Sequence, residues 1–167
     1  IVLDNRELYE RCIKLREKVR MHSYEYRGNK QIAAMQSLAG IADSKAVSEE
    51  VLKPGCGHGL SCFWGYYTLK ALAKSNDISA ALEIIRQYWG GMLEMGATTF
   101  WEDFDLRWME NAERIDEPVP LGKKDIHGDF GKFCYTQFRH SLCHGWASGP
   151  TAFLSEYILG VKILEPG

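Results

Sequence analysis

Residues 60–93 read LSCFWGYYTLKALAKSNDISAALEIIRQYWGGML, and the choice between helix and strand here settles the fold class. In the second half Ile78, Ala81, Leu82, Ile85 and Trp89 recur at helical spacing. Asp77 stands just ahead of them, and its short carboxylate suits a helix N-cap. In the first half apolar residues cover most of the helical circumference, which predicts a helix buried on more than one side. Gly90 and Gly91 fall near the end of the second helix, where helices commonly stop or bend. No convincing apolar–polar alternation appears, so the stretch reads as two successive helices.

Working outward, the same period recurs. In NRELYERCIKLREKV (5–19), Leu8, Cys12, Leu15 and Val19 share one face, and Asp4 or Asn5 can cap the start. Residues 29–42, NKQIAAMQSLAGIA, carry Ile32, Met35, Leu38 and Ala39 on a similar stripe. A short polar helix, SKAVSEEVL, follows, and then KPGCGHG (53–59), a loop rich in breakers. The last element, SGPTAFLSEYILGV, has Ser148 at a cap position and Pro150 in the first turn. Phe153, Leu154, Tyr157 and Ile158 form its expected buried stripe. The expected fold is all-α, a single unit over 1–167 with five or six helices.

One region breaks the pattern. From about residue 103 to 133 no period is visible, and Pro118, Pro120, Gly122, Gly128 and Gly131 punctuate the chain. A loop this long inside a compact domain is usually functional or disordered. Its charges and its aromatic residues Trp108, Phe130 and Phe133 favour a folded loop that covers a site. Lys123 and Lys124 are expected to pair with Asp125 or Asp129 at the surface.

Bulk properties remove several function classes. A net charge of −2 with no Lys/Arg stripe argues against nucleic-acid binding. No apolar run approaches the roughly 20 residues of a membrane span. The five cysteines are an odd number at scattered spacing, which predicts free thiols rather than a disulfide framework. Cys56, His58 and Cys62 cluster, and Cys143 adjoins His144, but neither group has the spacing of structural zinc, so no metal is expected. The opening IVLDNRELYERC carries no leader, and the chain reads as an excised C-terminal piece.

Two dense spots carry chemistry. The first is GATTFWEDFD (96–105), where Glu102 sits between Trp101 and Phe104. Cleaving a glycosidic bond takes two carboxyl groups, one protonating the leaving oxygen and one attacking or activating water. Adjacent aromatic rings supply flat faces for a sugar and a dry setting that tunes pKa. The same triplet is also an ordinary helix-end sequence, and Asp103 and Asp105 suit loop-forming turns. The second spot is RHSLCHGWASGP (139–150), with His140 and His144 on one face if the segment is helical.

Together these segments resemble those of a known family. GGMLEMGATTFWEDFD, KKDIHGDFG and FRHSLCHGWASGPTAFLSEYILGV resemble the C-terminal half of the catalytic domain of bacterial α-L-rhamnosidases, glycoside hydrolase family 78. The likeness covers essentially the whole chain and is diffuse before about residue 85. It implies half of an (α/α)6 toroid, inverting hydrolysis, terminal α-L-rhamnose as substrate and no cofactor. Matched motif to motif, Glu102 falls on the general base that polarises the attacking water, and His144 on a sugar-contacting histidine. Trp101 and Trp146 become pocket-wall residues.

The family's general acid lies in a segment that nothing here matches, so this chain alone is expected to be inactive. Halving a toroid exposes the face that met the missing helices, and self-association through it is expected, with the aromatic-rich run 60–72 at its centre. Two other readings stand beside the hydrolase. One is a noncatalytic carbohydrate-binding or interaction module on the same scaffold. The other is a different enzyme on that scaffold, such as a lyase using His144 as base. The sequence does not indicate a compartment: unpaired cysteines suit the cytoplasm, whereas many polysaccharide-degrading enzymes are exported.

Overall fold

The computed structural model describes residues 5–21, 28–130, 140–162 and 164. Among these the regular structure is helical: α1 (Arg6–Met21), α2 (Lys30–Leu38), α3 (Ser44–Val47), α4 (Cys62–Lys74), α5 (Ile78–Glu94), α6 (Ile126–Asp129) and α7 (Gly149–Phe153). Single π-helical turns extend α3 over Ser48–Leu52 and α7 over Leu154–Ile158, and a 3-10 turn spans Leu106–Glu110. The one β feature among the described residues is an isolated bridge between Ala112 and Lys124. The chain is all-α.

The helix starts follow the capping chemistry of the sequence. Asn5, Asn29, Asp43 and Asp77 each accept a backbone N–H of the first turn of α1, α2, α3 and α5. That removes one of the donors that a helix start leaves unsatisfied. Asp4, the other candidate cap for α1, lies outside the described residues.

Helix α4 is the hub. It packs on α2, α5 and α7, as its nearly all-round apolar surface predicts, and Leu69, Ala71 and Leu72 are fully buried. Gly65 makes one of these contacts possible: a Cβ there would stand 2.6 Å from the Trp89 ring of α5. Trp89 then donates its indole N–H to Ala147 O at 3.0 Å, fastening α5 to the turn that leads into α7.

Several expected faces are turned. The stripe of α2 was expected at Ile32, Met35 and Leu38, but Ala33, Ala34 and Ser37 are the residues at zero exposure, with Ile32 and Met35 facing outward. Small side chains let α2 approach α4 closely, and that contact prevails over the larger apolar residues. Lys30 Nζ bonds Cys56 O at the start of α2, and Lys74 Nζ bonds Ser37 O near its end.

Helix α1 forms as expected, yet no residue of it is buried, and Leu8 and Leu15 lie open. Its contact with the body is slight, made on the side of the half-buried Ile13, Arg16 and Val19. In α5 the buried set is Ala81, Ile84, Tyr88, Trp89 and Met92, a stripe turned toward Tyr88, whose hydroxyl donates to Phe104 O at 2.5 Å. Gly90 and Gly91 do not end α5, which runs on to Glu94. Gly91 instead gives Phe104, Leu106 and Met109 room: a Cβ on it would meet them at 3.0–3.2 Å. At the C-terminal end only Phe153 of the four expected stripe residues is buried.

The aperiodic region is folded as far as Phe130. Arg114 ties it down, pairing with Asp116 at 2.7 Å and donating to Glu94 O at 2.6 Å. Among the described residues Lys123 and Lys124 form no ion pair with Asp125 or Asp129. Asp125 accepts the His127 and Gly128 amides at the start of α6, and Asp129 accepts the Asp125 amide. Gly131, Phe133 and Cys134 lie outside the described residues.

Candidate functional site

After α5 the chain turns at Gly96 and passes without regular structure through residues 100–105, with a bend at Glu102. Residues 140–144 lie alongside in the opposite direction. Glu102 N donates to Ser141 O at 2.8 Å, and His144 N donates to Phe100 O at 2.7 Å. Thr99 Oγ1 adds a bond to Leu142 O. The fold thus brings together the two segments that the sequence marks. Because 140–144 is a series of bends and not a helix, His140 and His144 do not share a helical face.

Glu102 is half-buried. Its Oε2 accepts the Ser141 amide at 3.0 Å, while Oε1 has no hydrogen-bond partner among the described residues. The carboxylate is therefore held at one oxygen and open at the other. Its carbonyl accepts the Trp146 indole N–H at 2.8 Å, which sets that ring beside it. Glu102 lines a cleft of about 520 Å³ together with Phe63, Trp64, Trp146, Asn29 and Asp103. Phe63 stands 5.8 Å from Trp146 and 5.1 Å from Trp64, ring centre to ring centre, so one wall is aromatic.

The other expected site residues part company. Trp101 has zero exposure and packs edge-on against Phe104 and His140. It is a core residue with no ring face to offer a ligand, which corrects its expected place in the pocket wall. Trp146 is 43% exposed and does line the Glu102 cleft. His144 lines a different cleft of about 430 Å³, with Trp89, Met92, Phe100 and Cys143. It meets the first cleft's wall through Trp146, whose ring centre is 4.2 Å from its own.

His140 fixes the backbone behind Glu102. It is 1% exposed; Nε2 lies 2.8 Å from Asp103 O and 3.2 Å from Asp103 N, and Nδ1 lies 3.0 Å from Ile126 O. The imidazole thus bridges the backbone at Ile126 to the backbone at Asp103. Asp105 serves structure, as its sequence setting suggests. It accepts the Arg107 amide at the start of the 3-10 turn and pairs with the Arg107 guanidinium at 2.5 Å. Hydrogen bonding to Arg107 holds the Asp105 carboxyl below its ordinary pKa.

A second compartment of about 500 Å³ adjoins the Glu102 cleft, sharing Gln31, Ser61 and Asp103 with it. Asp105, Arg107 and Asp129 line it beside Trp108 and Phe130, whose rings stack at 4.6 Å. The sequence pattern did not single out Ser141, Phe63 or Trp64 for this site. The signal for the aromatic pair was present: a helix apolar nearly all round has more apolar surface than its neighbours need, and the surplus can wall a cleft.

Among the described residues no three His, Cys, Asp or Glu side chains gather as metal ligands. No described helix is long and apolar enough to cross a membrane. No protein-family model, curated protein or solved structure matches the chain. The functional reading therefore rests on the site itself.

Proposed function

We propose that this chain supplies the base side of an inverting α-L-rhamnosidase, within an (α/α)6 toroid. The observation that carries the reading is Glu102: a carboxylate held by one oxygen, with the other unpartnered among the described residues, on the wall of an aromatic cleft. Such a carboxylate takes a proton from a water whose oxygen attacks the anomeric carbon. As that C–O bond forms, the bond to the leaving oxygen breaks, and an acid on the opposite side protonates it. Inversion needs the two carboxyls roughly 6.5–9.5 Å apart with the water between them. No residue of this chain is assigned as that acid. Phe63, Trp64 and Trp146 offer ring faces to the sugar's C–H surface.

The test is Glu102→Gln in the intact enzyme, assayed on nitrophenyl α-L-rhamnoside. Turnover should fall roughly a thousandfold, within the range for loss of a general base, with rhamnose affinity kept. A loss under about tenfold with the fold intact sinks the base assignment. The second reading is a noncatalytic carbohydrate-binding module on the same scaffold. It predicts rhamnoside binding with no turnover in the unaltered protein.

A further inference from the structure

Helix α1 builds an apolar seam that the rest of the described chain leaves uncovered. Leu8, Cys12, Leu15 and Val19 recur at spacings of 4, 3 and 4, within roughly 60° of arc around the helix. A helix that packs on its own body presents a wider apolar face. A seam this narrow is the pattern of one helix laid along another. The body takes only one edge of it: Ile13, Arg16 and Val19 are half-buried, whereas Leu8 and Leu15 are 43% and 62% exposed and Cys12 is open.

The charges that border the seam have one sign. At 100° per residue, Arg11 and Lys18 flank its open edge, and Arg16 with Tyr9 flanks the other. Glu7 and Lys14 lie a row behind the open edge and offset each other. The remaining carboxylates of α1 are engaged within the helix: Glu10 pairs with Arg6 at 3.1 Å, and Glu17 with Arg16 and Arg20 at 3.5 Å. Arg11 and Lys18 are exposed and form no ion pair among the described residues. These charges also decide against a second copy. Parallel seams would set Arg11 against the copy's Arg16, and antiparallel seams would set Arg11 against its Lys18.

We propose that α1 is the docking surface for an acidic amphipathic helix of a partner protein, apolar at the same 4-3-4 spacing, with Asp or Glu facing Arg11 and Lys18. The partner's apolar residues cover Leu8, Cys12 and Leu15, and its carboxylates neutralise the basic border, which sets both affinity and choice of partner. This surface is separate from the Glu102 cleft and does not depend on the glycosidase reading.

The test titrates two fluorescein-labelled helical peptides of about three heptads into the 167-residue chain, read by anisotropy. Both carry Leu along the seam; one has Glu and the other Lys at the flanking positions. The Glu peptide should bind at least about tenfold more tightly than the Lys peptide, and added salt should narrow that gap. The double variant Arg11→Glu, Lys18→Glu should reverse the preference. Leu15→Gln should weaken the Glu peptide by at least about tenfold with helix content unchanged, because an apolar contact is lost. Equal binding of the two peptides, or binding of neither, overturns the proposal. Binding to phosphatidylcholine–phosphatidylserine vesicles with both peptides silent overturns it in favour of a membrane surface. A dimer in sedimentation that Leu15→Gln disperses, again with both peptides silent, overturns it in favour of a second copy.

Discussion

Two clefts flank the paired segments 100–105 and 140–144, and their linings have little in common. One holds Glu102 and Asp103 against Phe63, Trp64 and Trp146; the other is walled by Trp89, Met92, Leu93 and Phe100, with His144 and Cys143 among its lining. Three consecutive residues show how the division arises. Phe100 lines the apolar cleft, Trp101 enters the core, and Glu102 lines the carboxylate cleft. The backbone bends at Glu102, so neighbouring side chains leave in different directions and a compact motif in sequence is dispersed in space. A cluster of chemically suggestive letters therefore marks a location and not a shared pocket.

The largest effect that tests this division is expected at Trp101. Replacing it with Ala should cost about 3–5 kcal/mol, the range for emptying a large aromatic site in a core, read as loss of the folded baseline or a steep fall in Tm. A Trp101→Ala protein of near-native stability would show that the ring is no core residue.

Thiol chemistry divides the two environments next. Cys62 is 1% exposed, and burial pushes its thiol pKa up to about 12. Cys143 is exposed on the apolar cleft. Iodoacetamide labelling mapped by mass spectrometry should modify Cys143 at least about a hundredfold faster than Cys62 in the native protein, since thiolate fraction and access both control the rate. Comparable rates would mean that the α4 core opens readily.

Trp146→Ala should be milder. The ring is 43% exposed and makes one hydrogen bond to Glu102 O, so about 1 kcal/mol of stability is at stake. Rhamnoside affinity should nonetheless drop by about tenfold, because a stacking face is lost. Unchanged affinity would remove Trp146 from the wall of the proposed sugar site.

The smallest effect is electrostatic. The folded Asp105 carboxyl has a pKa below its unfolded value, through Arg107. Its contribution to stability is present above the unfolded value and is lost as pH falls through the folded one. Asp105→Asn can keep the amide cap and lacks the charge, so it should be slightly less stable than the wild type at neutral pH. In urea titrations the gap should close in the acid range below the ordinary carboxylate pKa. A gap that persists there assigns the effect to the cap and not to the ion pair.

Helix positions were legible because capping and the 3.6-residue period are local: α5 begins after Asp77, and α4 is buried on several sides. Helix faces were less legible. At α2 the deciding quantity was how closely α4 could approach, which depends on Ala33, Ala34 and Ser37 meeting a particular partner. At α1 the apolar stripe of Leu8 and Leu15 was correctly seen and lies uncovered. Of the singled-out residues, Glu102 and Trp146 line one cleft. The burial of Trp101 and the separate cleft of His144 were not legible, because contacts between residues 39–44 positions apart, as between Glu102 and Ser141 or Trp146, leave no periodic trace in the chain.

The small-residue contact of α2 has a consequence at a distance. Gln31 and Ile32 belong to α2, and Phe63 and Trp64 to α4, so the gap between these helices is a gauge for whatever enters beside Glu102. Lys30 and Lys74 anchor the α2 end of that gauge to the loop before α4 and to the far end of α4. Each methyl group added at Ala33 or Ala34 would reset it, although neither side chain lines the cleft. The width of this cleft is thus open to drift through hidden alanines, with the aromatic residues and the carboxylate left untouched.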